Sequence, residues 1–379
     1  METTNRYFTN PTEPLRSADA RRELLASLDR INTHNPPVQT CSTGWSFSGF
    51  YTGPTSVAYL FYQLSRVYPD LAFKHQTLLE WAKAYLNLGA RAKKRPPSAN
   101  HCGISDETLA HLALSAVVLR DSSYAKKLCS YSAVINSPTD VGSNEWLYGR
   151  AGYLYFLRLC RGVYCEKGQH TTAALIDRTI KTTVERVLAL PQPWLWHGTQ
   201  YLGAAHGTIG IICQVILSDP SVAPKFEQLV SSLLDQQYEE TGNFPSSLPA
   251  RSDRLVQFCH GGPGFILSLR SISPYFPSLE EKIKTAISRA QSNIWERGLL
   301  TKEPCLCHGI AGNALALDDD QQFAHLLSFM DSETLEKRMN NTVRDADAAS
   351  LYTGEAGRAW AWAVADRGLP RTCIAYNDL

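Results

Sequence analysis

The chain has 379 residues, with 37 Lys and Arg against 36 Asp and Glu, a formal net charge of +1. A balance this close to zero gives no support for a nucleic-acid or anionic-lipid partner, which would select a basic face. The length is enough for a large buried core, and no run approaches the roughly 18 uncharged apolar residues of a membrane span, so no transmembrane segment is expected.

Residues 1–20 read as an irregular arm, and the start of the chain, from Met1 to Arg6, lacks the apolar stretch of a signal peptide. Ten cysteines without a secretion signal predict reduced thiols and a cytoplasmic location. A glycine frame then recurs along the chain. Its first copy is Tyr51-Thr52-Gly53-Pro54. The basic run at 91–95 reads as a solvated helix end before Pro96-Pro97, and a degenerate second copy follows as Cys102-Gly103-Ile104-Ser105. The third is Tyr148-Gly149-Arg150-Ala151-Gly152 and the fourth Ala205-His206-Gly207-Thr208-Ile209-Gly210. A turn-rich loop at 241–249 precedes the fifth, Phe258-Cys259-His260-Gly261-Gly262-Pro263-Gly264. The sixth is Leu306-Cys307-His308-Gly309-Ile310-Ala311-Gly312 and the seventh Tyr352-Thr353-Gly354-Glu355-Ala356-Gly357. The leading glycines are separated by 50, 46, 58, 54, 48 and 45 residues.

A period near 50 residues marks a repeat architecture and overrides the two domains that length alone suggests. Each turn precedes an apolar helical stretch. Amphipathic segments lie between turns, such as 175–190 with Ile176, Ile180, Val184 and Val187 at helical spacing. Each unit therefore reads as outer helix, glycine turn, inner helix, with inner helices apolar nearly all round. An open solenoid leaves two ends that need polar caps, yet the first and last turns are as well formed as the middle ones. This predicts an all-α fold, a seven-fold α/α toroid (a double-layered helical barrel) forming one domain over 1–379. All seven turns then converge at one end.

Two of those turns carry Cys-His pairs. A soft thiolate and an imidazole beside a close backbone turn suggest a zinc site split between neighbouring turns. Three protein ligands would leave an open position for substrate. A closed site with His260 or Cys305 as fourth ligand would be structural, and without metal both pairs would be core residues. Glycoside hydrolysis, which other α/α barrels host, needs two carboxylates facing the cavity, and these turns offer only Glu355.

The stretches 146–155, 203–211, 241–248, 257–264, 307–313 and 352–357 resemble the lanthionine cyclase C family, and more closely its eukaryotic LanC-like members. The resemblance spans nearly the whole chain, and the paired Cys-His-Gly motifs are its most specific part. It implies a seven-fold α/α toroid with one zinc ion per chain, held by Cys259, Cys307 and His308. It also implies thiol addition to dehydroalanine or dehydrobutyrine, with glutathione as the thiol and a dehydroamino-acid-containing peptide or protein as its partner. The alternatives are a glutathione-binding zinc scaffold and a peptide lanthionine cyclase. His206, in the same turn frame as the ligands, matches the family's acid/base histidine, and an imidazole is the side chain best suited to proton transfer near neutrality. His260 is a second catalytic candidate, at a position where bacterial cyclases often carry tyrosine. Arg6 and Lys302 match residues that bind glutathione, and Glu145 falls where bacterial members place an acidic residue near substrate. The family's substrate-contacting arginine position holds Leu255, with Arg254 one residue away.

Overall fold

The computed structural model describes residues 3–4, 6–11, 13–38, 44–92, 95–166, 168–339 and 348–379. Each of the seven turns is followed by an inner helix: Pro54–Val67, Glu107–Val118, Arg150–Glu166, Thr208–Ser218, Gly262–Ile272, Ile310–Leu315 and Glu355–Arg367. They are buried on nearly every side, as all-round apolar helices must be; in the fourth, every residue from Thr208 to Ile216 is buried. Each inner helix packs on the next, and the seventh packs on the first, so the ring is closed.

The outer layer comprises Leu78–Gly89, Ser122–Ser130, His170–Ala189, Glu227–Leu234, Glu280–Arg297 and Asp320–Ser328, with Ala20–His34 from the start of the chain. The 175–190 pattern falls in the helix His170–Ala189, which buries Ile176, Ile180, Val184 and Val187. Outer helices pair mainly with the inner helix that precedes them, and in the fourth repeat the 3-10 segment Pro220–Phe226 makes that contact. The short connections explain the choice: only residues 119–121 separate the second inner helix from its partner, and short links make antiparallel neighbours. The seventh inner helix packs on Ala20–His34, so the two ends of the chain complete one repeat together.

Backbone hydrogen bonds tie successive turns into a ring. Phe50 N donates to Ile104 O, Ile104 N to Trp146 O, and Trp146 N to Ala205 O. On the other side, Cys259 N donates to Cys307 O, Cys307 N to Tyr352 O, and Tyr352 N to Tyr51 O. Between the fourth and fifth turns the packing is too close for a side chain, since a Cβ on Gly203 would sit 2.5 Å from Cys259 O. The second turn, which lacks the usual second glycine, is capped instead by Asp106, whose carboxylate accepts from Leu109 N at 2.8 Å.

Below this ring the C-terminal segment fills the barrel. Tyr376 packs on Trp146 and Phe258, and the half-buried Asp378 carboxylate accepts from Tyr59, Tyr155 and Gln63 at 3.0, 2.8 and 3.0 Å. Cys129, Cys160 and Cys213 are core residues, and the described cysteines are free thiols. Arg91 and Arg95 are exposed, while Lys93 and Lys94 of the basic run lie outside the described residues. Among the described residues no helix is long and apolar enough to cross a membrane.

Glu355, in the seventh turn, is a structural anchor. Its carboxylate is buried and pairs with Arg358 and with Arg30, the latter at 2.9 Å. Burial opposes its ionisation, but the two guanidinium groups outweigh burial and hold its pKa at about 2, below the carboxylate value of 4.5. A folded-state pKa below the unfolded one stabilises the protein at pH above the unfolded value. That stability, on the order of 3 kcal/mol by linkage, should be lost as pH falls from 4.5 towards 2. Denaturant titrations across this range should show the slope in the wild type and a shallower one in Glu355→Gln.

Candidate active site at the converging turns

The fifth turn places Cys259 and His260 through a backbone only glycine tolerates. Gly261 sits at φ +116°, and a Cβ there would meet Leu255 O at 2.0 Å. Asn243, from the 241–249 loop, locks this turn: its amide donates to Asp253 O and Leu255 O at 2.8 and 3.0 Å and accepts from Gly262 N at 2.8 Å. The same loop pairs Ser247–Leu248 with Gln200–Tyr201, which ties the fifth turn to the fourth. The sixth turn is held by Asn313, which donates to Val256 O and Gly298 O.

The turn ring brings the two cysteines together. Both are buried, at 8% and 4% exposure, and Cys259 N donates to Cys307 O. The side-chain hydrogen bond from Cys307 holds the Cys259 thiol below its usual range, helped by Gln257 and the Lys302 charge and opposed by burial. The same bond, with burial, pushes Cys307 up. The two sulfurs therefore titrate as a unit, with Cys259 the more readily ionised of the pair. Tyr51 donates its hydroxyl to Cys307 Sγ at 3.1 Å, and Gln257 donates its amide to Cys259 Sγ at 3.1 Å. Burial and the neighbouring cysteines raise Tyr51 well above the normal phenol range, so it stays a donor.

His308 is half-buried, and burial together with the Lys302 charge lowers its pKa, keeping the imidazole neutral. Among the described residues no three His, Cys, Asp or Glu side chains are gathered as a finished metal cluster. The donor set nevertheless fits zinc, which takes thiolates and neutral imidazole. Cys305 belongs to the core: it is fully buried, and burial pushes its thiol up to about 12.

His206 stands opposite on the fourth turn. Its Nδ1 lies 2.9 Å from the Glu145 carboxylate. Glu145 is itself buried and fixed by the backbone N–H groups of Leu147 and Tyr148 at 2.8 and 2.5 Å. Glu145 thus lies beneath His206 and orients it. With Nδ1 engaged, Nε2 is the ring atom left for proton exchange. The indole of Trp196 stacks on the imidazole at 3.8 Å and 6°. A tight hairpin presents that indole: Trp196 bridges Thr199, and His197 and Gly198 both take positive φ, 47° and 74°, the geometry of a type I′ turn. His260 lies 5.9 Å from His206 and 5.4 Å from Tyr201, ring to ring. Burial, and then the His206 charge, drive its pKa down to about 4, so it is neutral at physiological pH, and its buried Nδ1 has no hydrogen-bond partner.

The N-terminal arm runs beside this site. Phe8 N donates to Leu299 O and Thr301 N to Arg6 O, which sets Arg6 next to the segment carrying Lys302. Lys302 is exposed, and its charge reaches both Cys259 and His308. Arg6 and Arg254 line one cleft of about 200 Å³ with Arg297. Arg6 Nε is buried without a hydrogen-bond partner.

Tyr51, Gln257 and Trp196 were not singled out by sequence reasoning. Tyr51 stands two residues before Gly53, the place Tyr352 takes before Gly354. The His197-Gly198 pair between Trp196 and Tyr201 is a hairpin signal.

The chain is 29% identical over 314 residues to a Danio rerio protein named glutathione S-transferase LANCL1, covering 77% of this chain and 72% of that protein. Its fold is similar to that of nisin cyclase, with a TM-score of 0.55 and 14% identity over 93% of this chain and 95% of the cyclase. At that identity the likeness concerns architecture, and it agrees with the closed double-layered helical ring. The profile of the family described as lanthionine synthetase C-like protein matches residues 45–362, which takes in all seven turns, and the chain belongs to that family.

Proposed function

We propose that this protein adds the thiol of glutathione to dehydroalanine or dehydrobutyrine residues of a peptide or protein, using one zinc ion held by Cys259, Cys307 and His308. The observation that carries the reading is the buried Cys259–Cys307 pair, joined turn to turn by a backbone hydrogen bond and accompanied by a carboxylate-oriented histidine. The name of the Danio rerio relative supports glutathione as the thiol. Free thiols throughout the described chain suit a reducing, cytoplasmic setting.

Zinc bound by these three residues would lower the pKa of an incoming thiol and leave one position open to it. The other roles fall to the protein's own groups. Lys302 and Arg6, on segments joined by a backbone hydrogen bond, would hold the carboxylates of glutathione. In the addition, the sulfur–Cβ bond forms, the C=C pair moves to the α-carbon, and a proton must arrive there. His206 Nε2 would deliver it while Glu145 keeps the ring in place. The neutral His260 can donate a hydrogen bond to the developing enolate oxygen. Trp196, Tyr148 and Tyr201 surround His206 and limit water on its faces.

Elemental analysis of the purified protein should find about one zinc per chain, and calorimetry should find glutathione binding that weakens in Lys302→Ala. A chain without zinc would overturn the reading.

A further inference from the structure

The chemistry just described puts three sulfurs together: Cys259, Cys307 and the incoming glutathione. The electrophile can react with any of them. Addition to a protein sulfur would form a bond from that sulfur to the β-carbon and move the alkene pair to the α-carbon, where a proton is taken up. The ligand would be left as a thioether. We infer that Tyr51 and Gln257 prevent this: each donates a hydrogen bond to one ligand sulfur and quenches its nucleophilicity, so that glutathione is the sulfur that reacts. The inference rests on the zinc-dependent reading above.

The geometry assigns one donor to each sulfur. Tyr51 serves Cys307 and Gln257 serves Cys259, both at 3.1 Å. A hydrogen bond to an ionised acceptor is among the stronger ones and draws charge from its lone pair. Tyr51 is held from outside the ligand turns. Its ring stacks on Tyr352 at 5.5 Å and 16°, and its carbonyl accepts from Tyr352 N at 3.1 Å. A hydroxyl has a single hydrogen to give, and that of Tyr51 is committed to Cys307. Gln257 shows the same commitment at a cost. Its amide points its NH2 at Cys259, while its buried Oε1 has no hydrogen-bond partner. Leaving a buried carbonyl unsatisfied is unfavourable, so the sulfur contact dictates the orientation. Both are positioning residues, acting through the cysteines they touch.

The test uses the full-length zinc-loaded protein, its Tyr51→Phe variant and its Gln257→Leu variant. Each is incubated with a dehydroalanine peptide in the absence of glutathione. Peptide mapping by mass spectrometry reads the adduct on each cysteine, and a chromophoric chelator reads zinc release. Tyr51→Phe should raise addition at Cys307 about tenfold and leave Cys259 unchanged, the size expected for losing one hydrogen bond to a charged atom. Gln257→Leu should do the reverse. Labelling that matches the wild type, or that rises equally at both sulfurs as general loosening would produce, overturns the inference while leaving the zinc reading intact. If one variant does not fold, the other decides by the same sulfur-specific readout. A wild type that carries no zinc overturns both.

Discussion

Replacing Cys307 with alanine should remove zinc and glutathione addition together. Cys307 is half of the buried sulfur pair, and losing it leaves one thiol and one imidazole, too few donors for a zinc site. The loss of metal affinity should exceed the roughly 10–100-fold that outer-shell changes cost, and His308→Ala should behave alike. Cys305→Ala is the control. That thiol is protonated core, so its removal should lower the melting temperature through a small cavity while the zinc content stays at one per chain. Elemental analysis of the variants, with product formation followed by mass spectrometry, checks the pattern.

The second large effect is expected at His206. Its imidazole lies between the Glu145 carboxylate and the Trp196 face, a placement that serves proton transfer more than binding. His206→Asn should slow single-turnover addition by about 10²–10⁴-fold, the usual worth of a positioned general acid. Zinc content and glutathione affinity should be unchanged. Glu145→Gln should cost less, because an amide oxygen can still accept from Nδ1–H although the charge is gone. A His206→Asn variant with wild-type rate would move the proton donor elsewhere, with His260 the nearest alternative.

The toroid and its metal-ligand candidates were legible because glycine turns impose a backbone that the sequence must display. Gly261 has a close backbone contact that excludes a side chain, and the thiolate and imidazole residues stand beside it in the chain. Ring closure was readable from the quality of the first and last turns. The pairing of the seventh inner helix with Ala20–His34 was not, because that contact joins the two ends of the chain and has no local signal. The site's supporting residues were harder to see for the same reason. Glu145 read as a substrate contact and lies beneath His206, 61 positions away. Tyr51 reaches Cys307 across 256 positions. Such partners come together only when the ring of turns is closed, and their residue types are unremarkable in the sequence.

The most direct test is the product itself. The zinc-loaded protein is incubated with glutathione and a dehydroalanine-containing peptide, and the peptide is weighed by mass spectrometry. The account predicts a gain of one glutathione per dehydroalanine, dependent on Cys307 and His206. A protein that holds zinc and binds glutathione yet leaves the peptide unmodified would contradict it.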